Sequence, residues 1–588
     1  MDENTRLNKI SDKEITKRLL NYAKPYKKQF IISLILILML VLLDVLVPVL
    51  LGETITILSK DVIDYKRIIL IVSYFLIGIL AAIYVEYKQT LILQKAGQNI
   101  IHNIREEVFT NIEKLSISQI NETPTGKLVT RVTNDTNTLN EMYTSVIVNL
   151  IKNIFTLVGI AVAMLIINVK LALYVLAVMP IVLVMAIVFR KISRRAHRVE
   201  RNNITLVNSF LSENLSGMKI TQIFNQENKK EKEFIKANND LKKSSLKVIF
   251  IFGIFRPLMY GLYILSTILV VIVGAKAAIV EKTIEVGVLV TFITYVSSFF
   301  NPIQTLAEQF NVLQSAFAAS ERIFEMIDTK PLIVDDEDAI ELDCVKGEIE
   351  FKNVWFEYTP GEWILKNVSF KINAKETCAF VGATGAGKTT ILGLLVRNYD
   401  IQQGEIFLDG INVKKIKIAS LRKNIGQMLQ DVFLFSGTIY SNIRLDEEEI
   451  TDKDVKEACD YVNASTFIEK LKDGYESEVR ERGNNFSSGE RQLLSFARTV
   501  VHKPKIMILD EATANIDTET EQLIQESLKK IMSIGTMLIV AHRLSTIQHA
   551  NKIIVLYHGE IIEEGTHNEL LKKQGYYYNL YRLQFAKE

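Results

Sequence analysis

Residues 382–390 read Gly382, Ala383, Thr384, Gly385, Ala386, Gly387, Lys388, Thr389 and Thr390, which fits the phosphate-loop spacing Gly-x-x-x-x-Gly-Lys-Thr. The glycines let consecutive backbone amides turn toward one phosphate chain, and the N-terminus of the helix that follows adds its positive dipole end. Lys388 brings a mobile cation for the β- and γ-phosphates, and the Thr389 hydroxyl suits a magnesium ion. Taken alone, the same spacing also describes a glycine-rich turn followed by chance by Lys-Thr. The residues downstream decide between the two. Ile506–Leu509 is an apolar strand that ends in Asp510 and Glu511. In that arrangement the first carboxylate anchors magnesium through its shell and the second polarises an attacking water. An ordinary acidic turn would explain Asp510 and Glu511 by themselves, but not beside a separate phosphate loop. His542 follows the apolar run Met537–Val540, placed to join the γ-phosphate to Glu511 by hydrogen bonds. Gln430, after Ile425–Leu429, completes either the magnesium site or the water site.

Such groups need a sheet to present them. Glu348–Trp355, Trp363–Ile372, Cys378–Val381, Gly404–Leu408, Ile506–Leu509, Thr536–Val540 and Lys552–Leu556 read as short strands. Helical patterns follow several of them, which predicts an α/β domain around a largely parallel sheet. Ahead of it lies different material. Six apolar segments, about Phe30–Leu51, Ile68–Val85, Val146–Ile167, Leu171–Val188, Val248–Val273 and Val288–Phe310, are each near the ~20 residues of a spanning helix. The whole is therefore multidomain: an all-α six-helix transmembrane domain followed by an α/β P-loop domain. The expected boundaries are 1–28 for an amphipathic elbow, 29–325 for the membrane domain, 326–345 for an acidic linker and 346–588 for the nucleotide-binding domain.

The spans pair through short connections, while 86–144 and 189–247 are long and helix-forming. Lysine and arginine gather in the first 28 residues and after the fourth span, at Arg190, Lys191, Arg194, Arg195, Arg198 and Arg201. The positive-inside bias makes those sides cytoplasmic, with both termini inside and the long stretches projecting inward. No removable signal peptide is evident in the charged Met1–Lys28, where Ile15, Leu19, Leu20, Tyr22 and Tyr26 form an apolar stripe suited to the membrane interface. Asp44, Glu86, Lys152, Arg256 and Glu308, in or at the edges of the spans, are expected to face water, a cavity or one another. A hydrophobic fraction of 48% and a net charge of +2 favour a membrane protein and make no case for nucleic acid. Cys344, Cys378 and Cys459 lack metal-ligand spacing and read as buried small apolar residues in a reducing compartment.

With these motifs in order, the chain resembles the ATP-binding cassette transporters, in particular bacterial exporter half-transporters that fuse six membrane helices to one nucleotide-binding domain. The resemblance covers essentially the whole chain and implies ATP and Mg2+ as cofactors, with ATP hydrolysis coupled to transport. Within it, Tyr358 matches the aromatic that stacks on adenine and Gln430–Phe435 the loop that touches the membrane domain. Ser487, Ser488, Gly489 and Glu490 occupy the signature, Asp517 lies in the dimer-contact loop, and Ala541–Arg543 is the histidine switch. Ser477–Gly483 resembles the loop of exporter cross-talk. Residues 126–135 look like the stretch just after the first coupling helix, and about 212–223 holds the second. In this family two cassettes face head to tail, so that one chain's phosphate loop and the other's signature hold each ATP.

The family's usual signature is Leu-Ser-Gly-Gly-Gln, whereas here Phe486-Ser487-Ser488-Gly489-Glu490 stands in its place. A side chain is added where backbone meets phosphate, and an amide donor becomes an anionic acceptor. A degenerate signature beside an intact phosphate loop, Asp510, Glu511 and His542 matches the family's asymmetric heterodimers, a reading favoured over an ordinary homodimer. The resemblance implies a multi-pass protein of the bacterial cell membrane, surrounded by lipid, with its N-terminus and nucleotide-binding domain cytoplasmic. A small amphipathic substrate of the multidrug type is the leading expectation, followed by a lipid or peptide. An ATP-gated channel or regulatory subunit is the contrasting class, and the intact Glu511 argues against it.

Overall fold

The computed structural model describes residues 10–585 apart from Lys282, Asp446, 511–517 and 541–546. It divides into two compact units, one of Met1–Glu113 with Thr125–Thr329 and one of Lys114–Pro124 with Lys330–Glu588.

In the first unit α1 (Asp12–Ala23) is the amphipathic elbow, capped by the Ser11 side chain, with Ile15 and Leu19 buried. There follow α2 (Lys27–Leu58), α3 (Tyr65–Lys114), α4 (Ile117–Glu122, which packs with the second unit), α5 (Thr125–Ile167), α6 (Val169–Ser216), the short α7 (Met218–Ile223), α8 (Glu227–Ala275) and α9 (Val286–Asp328). Six helices among the described residues are long and apolar enough to cross a membrane. The 50, 48 and 49 residues of α3, α6 and α8 make rods of about 70–75 Å, against a hydrocarbon core of about 30 Å. The apolar segments visible in sequence are only the membrane-length parts. Beyond them one face stays apolar, as at Leu93, Ala96, Ile100, Ile104 and Val108 of α3, all buried at steps of three or four.

Polar contacts fasten the cytoplasmic end of this unit. Asp135, 5% exposed, is bridged by Arg131 at 2.9 Å and by Arg322 of α9. Asn111 of α3 donates to the carbonyls of Met326 (2.6 Å) and Thr329 (3.1 Å), and Arg18 of the elbow pairs with Asp328 at 2.7 Å. The places where the chain leaves the unit, near 113 and 329, are thus tied to each other and to the elbow. Higher up, α2 and α9 cross backbone on backbone: a Cβ on Gly287 would lie 1.8 Å from the Gly52 carbonyl oxygen, so only glycine fits there. Among the candidate intramembrane charges, Lys152 and Asp44 face each other at 3.9 Å, Glu86 and Arg256 are exposed, and the side chain of Glu308 lies outside the described residues.

The second unit holds two larger sheets, which corrects the expectation of one. β1 (Ile349–Glu357), β2 (Trp363–Ile372), β4 (Gln403–Leu408) and β5 (Ile411–Asn412) form an antiparallel sheet in the order β2-β1-β4-β5. The other, in the order β12-β11-β3-β10-β9-β6, joins β3 (Thr377–Val381), β6 (Ile425–Met428), β9 (Ile506–Asp510), β10 (Thr536–Val540), β11 (Lys552–Tyr557) and β12 (Glu560–Gly565). It is parallel except at the β11–β12 hairpin. A small ribbon pairs β7 (Gly437–Thr438) with β8 (Glu478–Val479).

All five residues of β3 are buried, because both faces of the parallel sheet are covered. Cys378 and Phe380 pack with the antiparallel sheet, whereas Ala379 and Val381 pack with the helices of the opposite side. Of the three cysteines, Cys378 and Cys459 are buried as expected, but Cys344 is exposed. The stretch after Thr329 lies along this unit: the Val334 carbonyl accepts from Arg397 at 3.1 Å, Asp335 from the Ile418 amide at 2.8 Å, and Glu341 pairs with Lys417 at 2.8 Å. Gln119 of α4 accepts from the Leu332 amide at 3.1 Å and donates to the Lys330 carbonyl at 3.0 Å.

Candidate nucleotide site

Parallel strands put the carboxyl ends of β3, β10, β9 and β6 along one edge, the place where open α/β sheets bind ligands. Val540 pairs in register with Phe380 on one side and Asp510 on the other, and Met428 pairs with Leu509. The phosphate loop after Val381, Asp510 closing β9, and Gln430 two residues past β6 therefore emerge from one edge. Glu511, Asp517 and His542 lie outside the described residues.

From β3 the chain turns through exposed Ala383, Thr384 and Gly385 into α10 (Lys388–Leu395). Gly387 caps that helix with φ +99°, and a Cβ there would also meet Leu365 at 2.6 Å, so glycine is required. Gly387 offers no side chain to cap the amides at this helix start, and none is supplied among the described residues. The Lys388 ammonium, 5% exposed, donates to the carbonyls of Gly382 and Ala383 at 2.9 Å each. Burial pulls its pKa below the ordinary lysine value, and the charge of Asp510 opposes that shift. Thr389 is exposed beside it. An exposed hydroxyl, a carboxylate and bare helix-start amides are the donor set that a magnesium–triphosphate needs.

Tyr358 joins this group through Thr390, its hydroxyl 3.1 Å from the Thr390 hydroxyl. Its ring is half exposed, and burial of the remainder raises the phenol's pKa. Tyr399, which the sequence did not single out, stands edge-on to Tyr358 with ring centres 5.0 Å apart, and its hydroxyl receives a 3.4 Å hydrogen bond from Asn121 of α4. Its only sequence signal was an aromatic residue just past α10.

The signature residues are not brought to the phosphate loop. Ser487 caps α11 (Ser488–Val501), and Phe486 and Leu493 pack on the side of the parallel sheet opposite to Ala386 and Ile391. The Ser487 hydroxyl accepts from the Glu490 amide at 3.2 Å while the Glu490 carboxylate accepts from the Ser487 amide at 2.7 Å. This reciprocal pair is a capping box, legible in sequence as Ser-x-x-Glu but not recognised there.

Residues 30–303 match the family model for the ABC transporter transmembrane region, and residues 365–514 match the ABC transporter model. The chain is 38% identical to the uncharacterized ABC transporter ATP-binding protein YknV of Bacillus subtilis, over 97% of this chain and 94% of that one. The chain belongs to the ABC transporter family. It is also 36% identical to the probable multidrug resistance ABC transporter ATP-binding/permease protein YheH of Bacillus subtilis, over 89% of this chain and 77% of that protein. With the ATP-dependent lipid A-core flippase of Syntrophus aciditrophicus it shares 32% identity over 98% of this chain and 95% of the relative. As an ABC transporter with six apolar helices ahead of its ATPase unit, it is an ATP-driven exporter. It is a multi-pass membrane protein with a cytoplasmic nucleotide-binding domain that binds and hydrolyses ATP, and its half-transporter layout implies a dimer.

Proposed function

We propose that this chain is the catalytically competent half of a heterodimeric exporter of amphipathic, multidrug-type compounds. The observation that carries the reading is the placement of two helix starts on opposite sides of one sheet: that of α10 open to phosphate, that of α11 closed by Glu490. A single chain with this geometry offers half of each of two ATP sites, and a second cassette must bring the rest. The half offered by α11 sets a carboxylate where a γ-phosphate would come, which suits a partner site of little turnover.

At the other half, Lys388 and the amides of Gly385–Thr390 hold the phosphates, and Tyr358 stacks on adenine. Thr389, Asp510 and Gln430 would hold magnesium, which when bound neutralises charge on the β- and γ-phosphates. Glu511 polarises the attacking water, His542 orients it against the γ-phosphate, and Asp517 contacts the partner cassette. The roles of Glu511, His542 and Asp517 follow from family likeness alone, and those of the phosphate loop, Asp510 and Gln430 also from the shared strand edge. Multidrug cargo is supported by the name of the relative YheH. A lipid cargo is the second reading, favoured by the likeness to lipid A-core flippases.

The test is magnesium-dependent ATP hydrolysis by the full chain purified alone in lipid nanodiscs, with Glu511→Gln as the blank. Retained ATP binding with negligible turnover is the expected result. Robust turnover abolished by the substitution would establish a working homodimer and overturn the heterodimer. Vesicles holding the active assembly, offered a cationic dye and a labelled lipid in parallel, separate the two cargo readings.

A further inference from the structure

Between α6 and α8 the membrane unit carries an apolar groove of about 930 Å3, lined by Pro180, Val184 and Val188 on one helix and Pro257, Gly261 and Leu265 on the other. From Pro180 to Val188 it follows α6 for about 12 Å, and these residues are exposed. The stripe that lines it does not end at Val188. Continued by steps of three and four it passes through Lys191 and Arg195, and on the antiparallel α8 it runs from Pro257 through Ile254 and Phe250 to Lys247. Lys191, Arg195 and Lys247 are exposed and have no ion-pair partner among the described residues, and Phe250 is 68% exposed.

Depth gives the pattern its meaning. Lys191 lies 22 residues beyond Val169, the outer end of α6, and Arg195 lies 26 beyond it. At 1.5 Å per residue they stand about 33 and 39 Å from the outer surface, where the ~30 Å hydrocarbon core gives way to the inner headgroups. Lys247, 28 residues before Ala275, reaches the same layer with its long side chain from about 42 Å. An apolar slot in the inner leaflet that opens onto three cations at headgroup level is complementary to one kind of molecule.

We propose that the α6–α8 groove binds an anionic phospholipid of the inner leaflet, with an acyl chain along the groove and the phosphate against Lys191, Arg195 and Lys247. The lipid is a resident ligand rather than cargo, and the site is independent of the cargo reading above. Basic pockets between membrane helices on the cytoplasmic side recognise such headgroups, each basic residue adding about fivefold in affinity.

Native mass spectrometry of the full chain released from detergent, titrated with phosphatidylglycerol or with phosphatidylcholine of the same acyl chains, reads the site directly. Phosphatidylglycerol is expected to be retained preferentially. The triple substitution Lys191→Gln, Arg195→Gln, Lys247→Gln should weaken it by about a hundredfold while leaving phosphatidylcholine unchanged. Gly261→Leu should weaken both lipids, because a Cβ at Gly261 meets nothing within 4 Å and a larger side chain fills the slot without disturbing the fold. Equal retention of the two lipids by the native chain would reduce the groove to ordinary lipid contact and overturn the proposal. Unchanged phosphatidylglycerol binding in Gly261→Leu would overturn it too, as would loss of binding in the assembled dimer, which would mean that the partner covers the groove. Transfer of phosphatidylglycerol across vesicles by the active protein would make it cargo and overturn its residence.

Discussion

The starts of α10 and α11 present the same raw material, a row of backbone amides with no intrahelical partner, and the protein treats them in opposite ways. At α10 the cap is Gly387, which has no side chain to satisfy the amides, and the Lys388 ammonium lies beside it, bonded to the Gly382 carbonyl. At α11 the cap is Ser487, and Glu490 folds back to take the Ser487 amide at 2.7 Å. A helix start held open by glycine waits for an anion from outside. One closed by its own carboxylate has already supplied the anion, and a triphosphate arriving there meets like charge. The asymmetry proposed for the assembled transporter rests on this difference between two caps of one chain.

The comparison breaks most completely at the open end. Lys388→Ala removes the only cation described at the phosphate loop and leaves the helix start without its counter-charge for phosphate. ATP binding by the full chain should fall by about two orders of magnitude, the scale of losing a buried charge-assisted pair. Calorimetric titration with ATP checks this, and an affinity within threefold of native would show that the amides alone hold the nucleotide.

Smaller changes sharpen the closed end. Glu490→Gln keeps a capping-box residue, since glutamine also serves at that position, but deletes the charge. If the carboxylate is what weakens this signature, the assembled transporter should bind ATP at the corresponding site about fivefold more tightly, the worth of one charge a few ångströms away in a solvated interface. An unchanged affinity would shift the cause to Ser488. Ser487→Ala removes the cap itself and should cost about 1 kcal/mol in stability, read as a lowered denaturation midpoint, with no effect on nucleotide binding to the chain's own phosphate loop.

How much of this was legible beforehand follows from what each signal measures. The strands of the parallel sheet stood out because burial on both faces leaves an unbroken apolar run, as in Thr377–Val381 and Thr536–Val540. The same run says nothing about partners, and so β1, β2 and β4 were expected in that sheet when they form another. The membrane helices were found by hydropathy, but their cytoplasmic extensions carry a single apolar stripe and their ends were beyond its reach. That α4 packs with the second unit rests on contacts such as Gln119 to Lys330 and Leu332, across more than 200 residues of sequence, which no local pattern encodes. Among the site residues, the phosphate loop, Asp510 and Gln430 were read from spacing and share one strand edge. The Glu490 contact was readable and passed over, because the family comparison framed that residue as a departure from a motif instead of as the third position of a cap.

The two sides of the sheet can also be compared by their thiols, where the expected effect is smallest. Cys378 lies in the core on the α10 side and Cys459 in the core on the α11 side, while Cys344 is exposed. Burial disfavours a thiolate, so the Cys459 pKa is pushed up to about 12 and that of Cys378 rises further still. Neither buried thiol ionises appreciably up to pH 9. A disulfide reagent should therefore modify one thiol per native chain, Cys344, between pH 7 and pH 9, and all three in denaturant. Equal silence from Cys378 and Cys459 would mean that both sides are packed alike and that the difference between the helix starts resides in their caps. If Cys459 reacted along with Cys344, the α11 side would be opening on its own, and the weakness of that signature would belong to its mobility rather than to the charge of Glu490.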